Sequence, residues 1–252
     1  MVYFVGAGSG APDLITVRGI KLLGKADVII YAGSLVNKEL LNYKKNGCNV
    51  YNSATMTLEE VIEVIVKAEQ EGLTTVRLHT GDPCVYGAIR EQMDCLDQKG
   101  ISYEYCPGVS SFCGAASALN LEYTLPNVSQ SVIITRMAGR TPVLEKEDIA
   151  SFAAHQATMV IFLSTGMLEE LTDKLIEGGY TKDTPAAVVY KATWEDEKTI
   201  VGTVGTISEL AKKEGITKTA LIIVGDVVAH TNYERSELYN PAFTTEYREA
   251  TK

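Results

Sequence analysis

The sequence has no run of lysine or arginine, no cysteine pair at C-x-x-C spacing and no apolar stretch near the ~20 residues of a membrane span. Each absence removes a class of function. With no basic patch and a formal net charge of -9, the surface repels polyanions, so nucleic acid is not an expected partner. The five cysteines (Cys48, Cys84, Cys95, Cys106 and Cys113) and the three histidines (His79, His155 and His230) form no cluster with the ligand spacing of a structural zinc site. They read as reduced thiols packed as small hydrophobes, with no bound metal. The opening residues MVYFVGAGSG lack the basic and apolar regions of a signal peptide, which predicts a cytoplasmic protein. Trp194 is the only tryptophan.

What is present is a globular chain. Its 252 residues are 46% hydrophobic and 22% charged, enough for one large domain or two of ordinary size. Strand and helix signals alternate through the first half. Strands are predicted at 2–5, 28–31, 75–79 and 103–106. Helices are predicted at 13–23, 57–71, 85–99 and 109–119. The helix at 57–71 is the clearest, with Leu58, Val61, Ile62, Ile65 and Ala68 at helical spacing. Thr57 and Glu60 form a capping box and Gly72 stops it. The polar stretch LEYTLPNVSQS at 121–131 breaks the pattern and reads as a connection. It separates a domain at 1–120 from one at 121–252. The second half has predicted strands at 132–135, 158–163, 187–190, 199–203 and 220–224. Its helices are predicted at 146–154, 167–177 and 207–213, and an antiparallel pair flanks KATWEDEK. The fold class is therefore α/β, with two α/β domains. The polar segment at 231–252 reads as a tail on the surface or on a partner subunit.

In a parallel sheet, ligands bind beyond the carboxyl ends of the strands. Four loops of the first domain follow strands: 6–13, AGSLV at 32–36, TGDPCVYG at 80–87 and PGVSSF at 107–112. In the first, Gly6, Gly8 and Ala11 fit the dinucleotide spacing G-x-G-x-x-A. The nicotinamide reading also needs an acid at the end of the second strand, and that strand ends in Ala32-Gly33-Ser34. Asp82 either binds a ligand hydroxyl or amine, or caps the following helix. Ser110 and Ser111 either cap a helix or touch a ligand. Arg77 and His79 alternate with Val76 and Leu78, which predicts that this strand lines a crevice at its carboxyl end.

Five stretches, VGAGSGAPDLITVRGIKLL, ADVIIYAGSLV, LHTGDPCVYGAI, CPGVSSFCGAASAL and ALIIVGDVV, occur in this order along nearly the whole chain. Together they resemble the tetrapyrrole methylases that use S-adenosylmethionine. The stretches ITRMAGRTPV and VVYKATWEDEK are similar to those members that methylate carbon 11 of precorrin-4 or cobalt-precorrin-4 on the way to cobalamin. The resemblance implies a homodimer of two-domain subunits with an active-site trough between the domains. It assigns cofactor contacts to Ser9, Thr80, Gly81, Asp82, Val85, Ser110, Ser111, Leu163, Ser164 and Ala192. The family's cofactor loop G-x-G-P-G-D-P is matched by Gly6, Gly8, Gly10 and Pro12, while Ser9 and Ala11 stand at its proline and aspartate. Gly33 stands where close relatives carry an acid, and no general base is assigned. For a substrate edged with carboxylates, Arg136, Arg140 and Lys191 are the candidate partners, with Tyr86 as a candidate wall. His79 reads as a satisfied loop histidine, and Trp194 as packing against its neighbours rather than stacking on a ligand. The same resemblance leaves open a methylase of another precorrin position, of diphthamide or of ribosomal RNA. The glycine spacing alone leaves open an NAD-dependent dehydrogenase.

Overall fold

A computed structural model describes residues 1–231 and 233–251. They form two compact units, Met1–Ala115 with Lys191–Glu197, and Ala116–Tyr190 with the described residues from Lys198 onward.

The first unit is built on five strands: β1 (Val2–Gly6), β2 (Val28–Tyr31), β3 (Asn49–Asn52), β4 (Thr75–His79) and β5 (Tyr103–Cys106). All pair in parallel, in the order β3-β2-β4-β1-β5. The helices are α1 (Val17–Lys25), α2 (Leu58–Gln70) and α3 (Arg90–Gln98), and α4 (Ser111–Leu119) begins in this unit, which ends at Ala115. On one face Val5, Ile29, Val76 and Leu78 pack with Leu23 of α1. On the other, Phe4 and Ile30 pack with Ile62 and Ile65 of α2 and Leu96 of α3. Burying each such side chain contributes roughly 1.5–3 kcal/mol.

Several elements differ from the sequence expectation for local reasons. The helix expected at 13–23 opens as a 3-10 turn, Pro12–Leu14, and α1 begins only after Thr16, whose hydroxyl accepts from the Gly19 N–H at 3.0 Å. The helix expected at 85–99 starts at Arg90, because Tyr86 (φ 55) and Ala88 (φ 49) are left-handed. The helix expected at 109–119 starts at Ser111. β3, NVYN, is a short edge strand whose two apolar residues, Val50 and Tyr51, are exposed, so it shows no alternating or continuous apolar run. The capping box of Thr57 and Glu60 on α2 is present as read.

β4 is buried along its whole length and lines no crevice with Arg77 or His79. The Arg77 guanidinium donates to Gln92 Oε1 (2.9 Å), the Ile30 carbonyl (3.0 Å) and Ser53 Oγ (3.0 Å). Burial lowers its pKa to about 10. His79 stacks on Phe4, and its Nε2 is buried without a partner. It is thus a core residue and not a satisfied loop histidine. Burial, reinforced by Arg77, lowers its pKa to about 3.

The second unit carries β6 (Val132–Arg136), β7 (Thr158–Phe162), β8 (Pro185–Tyr190), β9 (Lys198–Thr203) and β10 (Ala220–Val224), in the order β6-β7-β10-β8-β9. β6 and β7 are parallel, while β10 runs antiparallel to β7 and β8, and β9 antiparallel to β8. Hence β6, β7 and β8 run the same way and end at one edge. The helices α5 (Ile149–Ala153), α6 (Leu168–Glu177) and α7 (Ile207–Lys213) contribute to a single core cluster with Met159, Ile161, Val188 and Ile222. The helix expected at 146–154 is shortened, because Asp148 caps α5 by accepting from the Ala150 N–H.

Candidate functional site

Because the first sheet is wholly parallel, every strand delivers its following loop to one edge. Three of these loops meet backbone to backbone. Gly8 and Gly81 exchange N–H to carbonyl bonds of 3.2 and 2.8 Å, and both are left-handed (φ 85 and 58). A Cβ on Gly108 would lie 2.3 Å from the Gly81 carbonyl oxygen and 2.7 Å from Gly6 Cα. Side chains at these positions would separate the loops.

Asp82 ties the same loops by charge. Its Oδ1 accepts from the Cys84 N–H at 2.8 Å and from the Tyr105 hydroxyl, and its Oδ2 accepts from the Gly108 N–H at 2.9 Å. No helix starts until Arg90, so Asp82 is not a helix cap. Burial pushes its carboxyl up, but the bonds from Cys84, Tyr105 and Gly108 outweigh that and hold it below the ordinary aspartate range. Burial and the facing Asp82 carboxylate raise the Tyr105 phenol.

The remaining first-unit candidates lie along this edge. Ser9, Gly81, Ser110 and Ala192 are buried, whereas Thr80, Val85 and Ser111 are half-buried. Ser9 Oγ is hydrogen-bonded to Thr193 Oγ1 at 3.0 Å. Tyr86 is 47% exposed. Lys191 Nζ pairs with Asp196 at 2.6 Å and lies 5.5 Å from the centre of the Trp194 ring. Trp194 also packs on Gly10. Gly33 is left-handed (φ 69), and a Cβ there would lie 3.1 Å from Ala54 Cβ.

In the second unit, the candidates follow β6 and β7. Arg136 does not offer a free fork for a carboxylate. It donates to the carbonyls of Met137 (3.1 Å), Thr141 (3.2 Å) and Pro142 (2.8 Å), stapling the loop that carries the exposed Arg140. Ser164 is fully buried; its hydroxyl accepts from the Met137 N–H (2.9 Å) and donates to the Phe162 carbonyl (2.7 Å). Leu163 is left-handed (φ 54) with its side chain 67% exposed. Left-handed non-glycine residues thus follow β4 (Tyr86, Ala88), β7 (Leu163) and β8 (Lys191, Thr193). Such strain costs about 1–3 kcal/mol per residue and concentrates at ligand sites. Sequence reasoning did not single out Thr193, Tyr105 or Asn37, the last of which donates to the Gly10 carbonyl at 3.0 Å. Nothing in their residue types marks the first two; a hydroxyl or phenol acquires such a role only through the partner that folding brings to it.

The donor set is specific in what it omits. The loops at 7–12, 32–36, 80–87 and 107–112 contain no lysine or arginine, and the second strand ends in Ala32-Gly33-Ser34 with no acid for a nicotinamide ribose. Close backbone approach with one carboxylate suits a cationic, phosphate-free nucleoside. Among the described residues, no group of three or more His, Cys, Asp or Glu side chains is placed to hold a metal ion, and no helix is long and apolar enough to cross a membrane.

Residues 1–208 match the tetrapyrrole (corrin/porphyrin) methylases, and the chain belongs to that family. Over 251 residues it is 56% identical to the cobalt-precorrin-4 C(11)-methyltransferase of Methanocaldococcus jannaschii, covering 100% of this chain and 97% of that protein. The X-ray structure of a cobalamin biosynthetic enzyme, cobalt precorrin-4 methyltransferase, superposes with a TM-score of 0.88 at 45% identity, over 90% of this chain and 95% of that one. The uroporphyrin-III C-methyltransferase of Thermus thermophilus, solved with S-adenosylhomocysteine, superposes with a TM-score of 0.75 at 25% identity, over 93% and 96% of the two chains.

Proposed function

We propose that this protein transfers the methyl group of S-adenosylmethionine to carbon 11 of precorrin-4, or of its cobalt complex, in cobalamin biosynthesis. The observation that carries this reading is the full-length 56% identity to a methyltransferase of that position. The glycine-lined edge supports it, allowing close backbone approach to a sulfonium nucleoside and lacking the acid after the second strand that a nicotinamide dinucleotide needs.

S-adenosylmethionine supplies an already activated methyl group, so the protein needs to align carbon, methyl and sulfur and to exclude water. In this reading the backbone at Ser9, Thr80, Gly81 and Ser110, with Asp82, Val85, Ser111, Leu163 and Ala192, holds the cofactor, while Ser164, fully buried with its hydroxyl spent on Met137 and Phe162, shapes the loop after β7 rather than touching the cofactor. Arg140 and Lys191 meet substrate carboxylates beside Tyr86, and Arg136 shapes the loop of Arg140. A homodimer belongs to the same reading, and sedimentation velocity checks it.

The test is calorimetry with S-adenosylhomocysteine, followed by transfer of a labelled methyl to precorrin-4 with and without cobalt. Saturable binding and a product labelled at carbon 11 are expected, and the faster substrate identifies the metal state. No binding, or a label on another carbon, overturns the reading.

A further inference from the structure

Residues 191–197 pack within the first unit although their chain neighbours on both sides belong to the second. They do so on one spot, the opening glycine loop. Thr193 Oγ1 accepts from the Ala11 N–H at 3.1 Å and shares a hydrogen with Ser9 Oγ at 3.0 Å, so a single hydroxyl grips the residues on either side of Gly10. Gly10 lies under the Trp194 ring. A Cβ there would come within 2.2 Å of Cδ1, 2.4 Å of Nε1 and 2.9 Å of the Ala192 carbonyl oxygen. Gly10 does not have a left-handed backbone, so glycine is required here by closeness and not by conformation. The loop is held from a second direction by Asn37, which donates to the Gly10 carbonyl. Gly114 makes room for the pairing, since a Cβ there would lie 2.7 Å from Ser9 Cβ and 3.3 Å from Thr193 Cγ2.

The gripping segment is itself braced. The Thr193 N–H donates to Glu197 Oε2 at 2.6 Å. The Trp194 N–H donates to the Lys191 carbonyl (3.0 Å), and the Glu197 N–H to that of Trp194 (3.1 Å). Lys191 is held by Asp196 beside the Trp194 ring. Thr193 is β-branched yet left-handed (φ 69), a conformation that persists only where the surroundings over-determine it. A braced, strained threonine whose hydroxyl serves both sides of a glycine turn is built to set the shape of that turn.

We propose that Thr193 is a positioning residue for cofactor binding, and that 191–197 is the clasp through which it fixes residues 9–11. The ligand in this proposal rests on the S-adenosylmethionine reading above. Thr193→Val keeps the shape and removes the hydroxyl, while Thr193→Ser keeps the hydroxyl. In Thr193→Val we expect the Ala11 amide to exchange at least about tenfold faster and S-adenosylhomocysteine to bind about tenfold more weakly. KM for S-adenosylmethionine rises and kcat changes little; Thr193→Ser restores both binding and exchange.

Trp194, the sole tryptophan, reports the clasp directly by its emission. If Thr193→Val does not fold, Gly10→Ala is the second variant. It leaves Thr193 intact but drives Trp194 off the loop, giving red-shifted emission and the same weakened binding. Wild-type affinity and wild-type Ala11 exchange in a folded Thr193→Val, or wild-type emission and affinity in Gly10→Ala, overturns the proposal. A wild-type protein that binds no S-adenosylhomocysteine, but whose Ala11 amide still responds to Thr193→Val, overturns only the cofactor reading and supports the clasp.

Discussion

At the carboxyl edge of the first sheet glycines let the loops meet backbone to backbone, with side chains such as Asp82 tying them; at the edge where β6, β7 and β8 end, the loops are held by side chains alone among the described residues. Gly6, Gly8, Gly81 and Gly108 bring three backbone segments into direct contact. In the second unit, Arg136 staples its own loop, Ser164 binds Met137 and Thr165 Oγ1 donates to the Ala220 carbonyl at 3.0 Å. Topology explains part of the difference. A parallel sheet sends all five following loops to one edge, so they crowd, and only residues without a Cβ let them pass. The second sheet sends three of its five strands that way and leaves room for side chains between the loops. Glycine contact has no slack. A side-chain bond can be lost singly, at the cost of the group left unpartnered.

The sharpest way to break this contrast is Gly108→Ala. The new methyl would meet the Gly81 carbonyl oxygen at 2.3 Å and Gly6 Cα at 2.7 Å, backbone on both sides, with no flexible side chain to yield. We expect a loss of about 3 kcal/mol in urea unfolding, together with loss of S-adenosylhomocysteine binding. A variant within ~0.5 kcal/mol of the parent would show that the glycine contacts are loose. Ser164→Ala probes the other edge. It leaves the fully buried Met137 N–H without its acceptor, and we expect a loss of about 2 kcal/mol, smaller than for Gly108→Ala. The reverse order of the two losses would remove the distinction.

Much of this contrast was legible in the sequence on the glycine side and little on the side-chain side. Glycines directly after short apolar strands announce a close approach, and the loops expected at 6–13, 80–87 and 107–112 do follow β1, β4 and β5, although the last ends at Ser110, where α4 takes over. The antiparallel pair around KATWEDEK was likewise readable, because β8 and β9 flank a polar turn. What could not be read depends on partners distant in sequence. Arg136 looked like a carboxylate ligand because nothing local shows three carbonyls converging on it. Arg77 and His79 suggested an open crevice, because alternation cannot distinguish a solvated face from one buried under α2 and α3. The edge strand β3 has only two apolar residues, Val50 and Tyr51, and leaves both exposed, so it is too short and too little buried to show a strand period. Thr193 lies 182 positions from the amide it holds.

The smallest expected effect at neutral pH sharpens the comparison from within the cores. Among its described residues the second unit buries hydroxyl side chains (Thr135, Thr158, Ser164, Thr165 and Thr172) but no titratable cation, and its two histidines, His155 and His230, are exposed. The first unit buries His79 beside Arg77, with its pKa lowered to about 3 by burial first and Arg77 second. In the unfolded chain the same group titrates near 6.5. Between those values the unfolded chain holds a proton that the folded chain refuses, so stability is full above pH ~6.5. It falls as pH drops, by up to ~1.4 kcal/mol per unit. Hydrogen exchange read at pH 7, 5.5 and 4.5 should therefore show β1 and β4 losing protection before β7 and β10. Asp82 in the first unit and Asp148 in the second both have carboxyls held below the ordinary range. Their contributions are lost only below about pH 4, outside this window. His79→Leu should cost less than ~1 kcal/mol at pH 7, because Nε2 has no partner to lose. It should also flatten the fall between pH 6.5 and 4.5, bringing the two units' acid responses together. If both units lose protection in parallel in the parent protein, or if His79→Leu keeps the parent's slope, the acid sensitivity does not lie in this histidine.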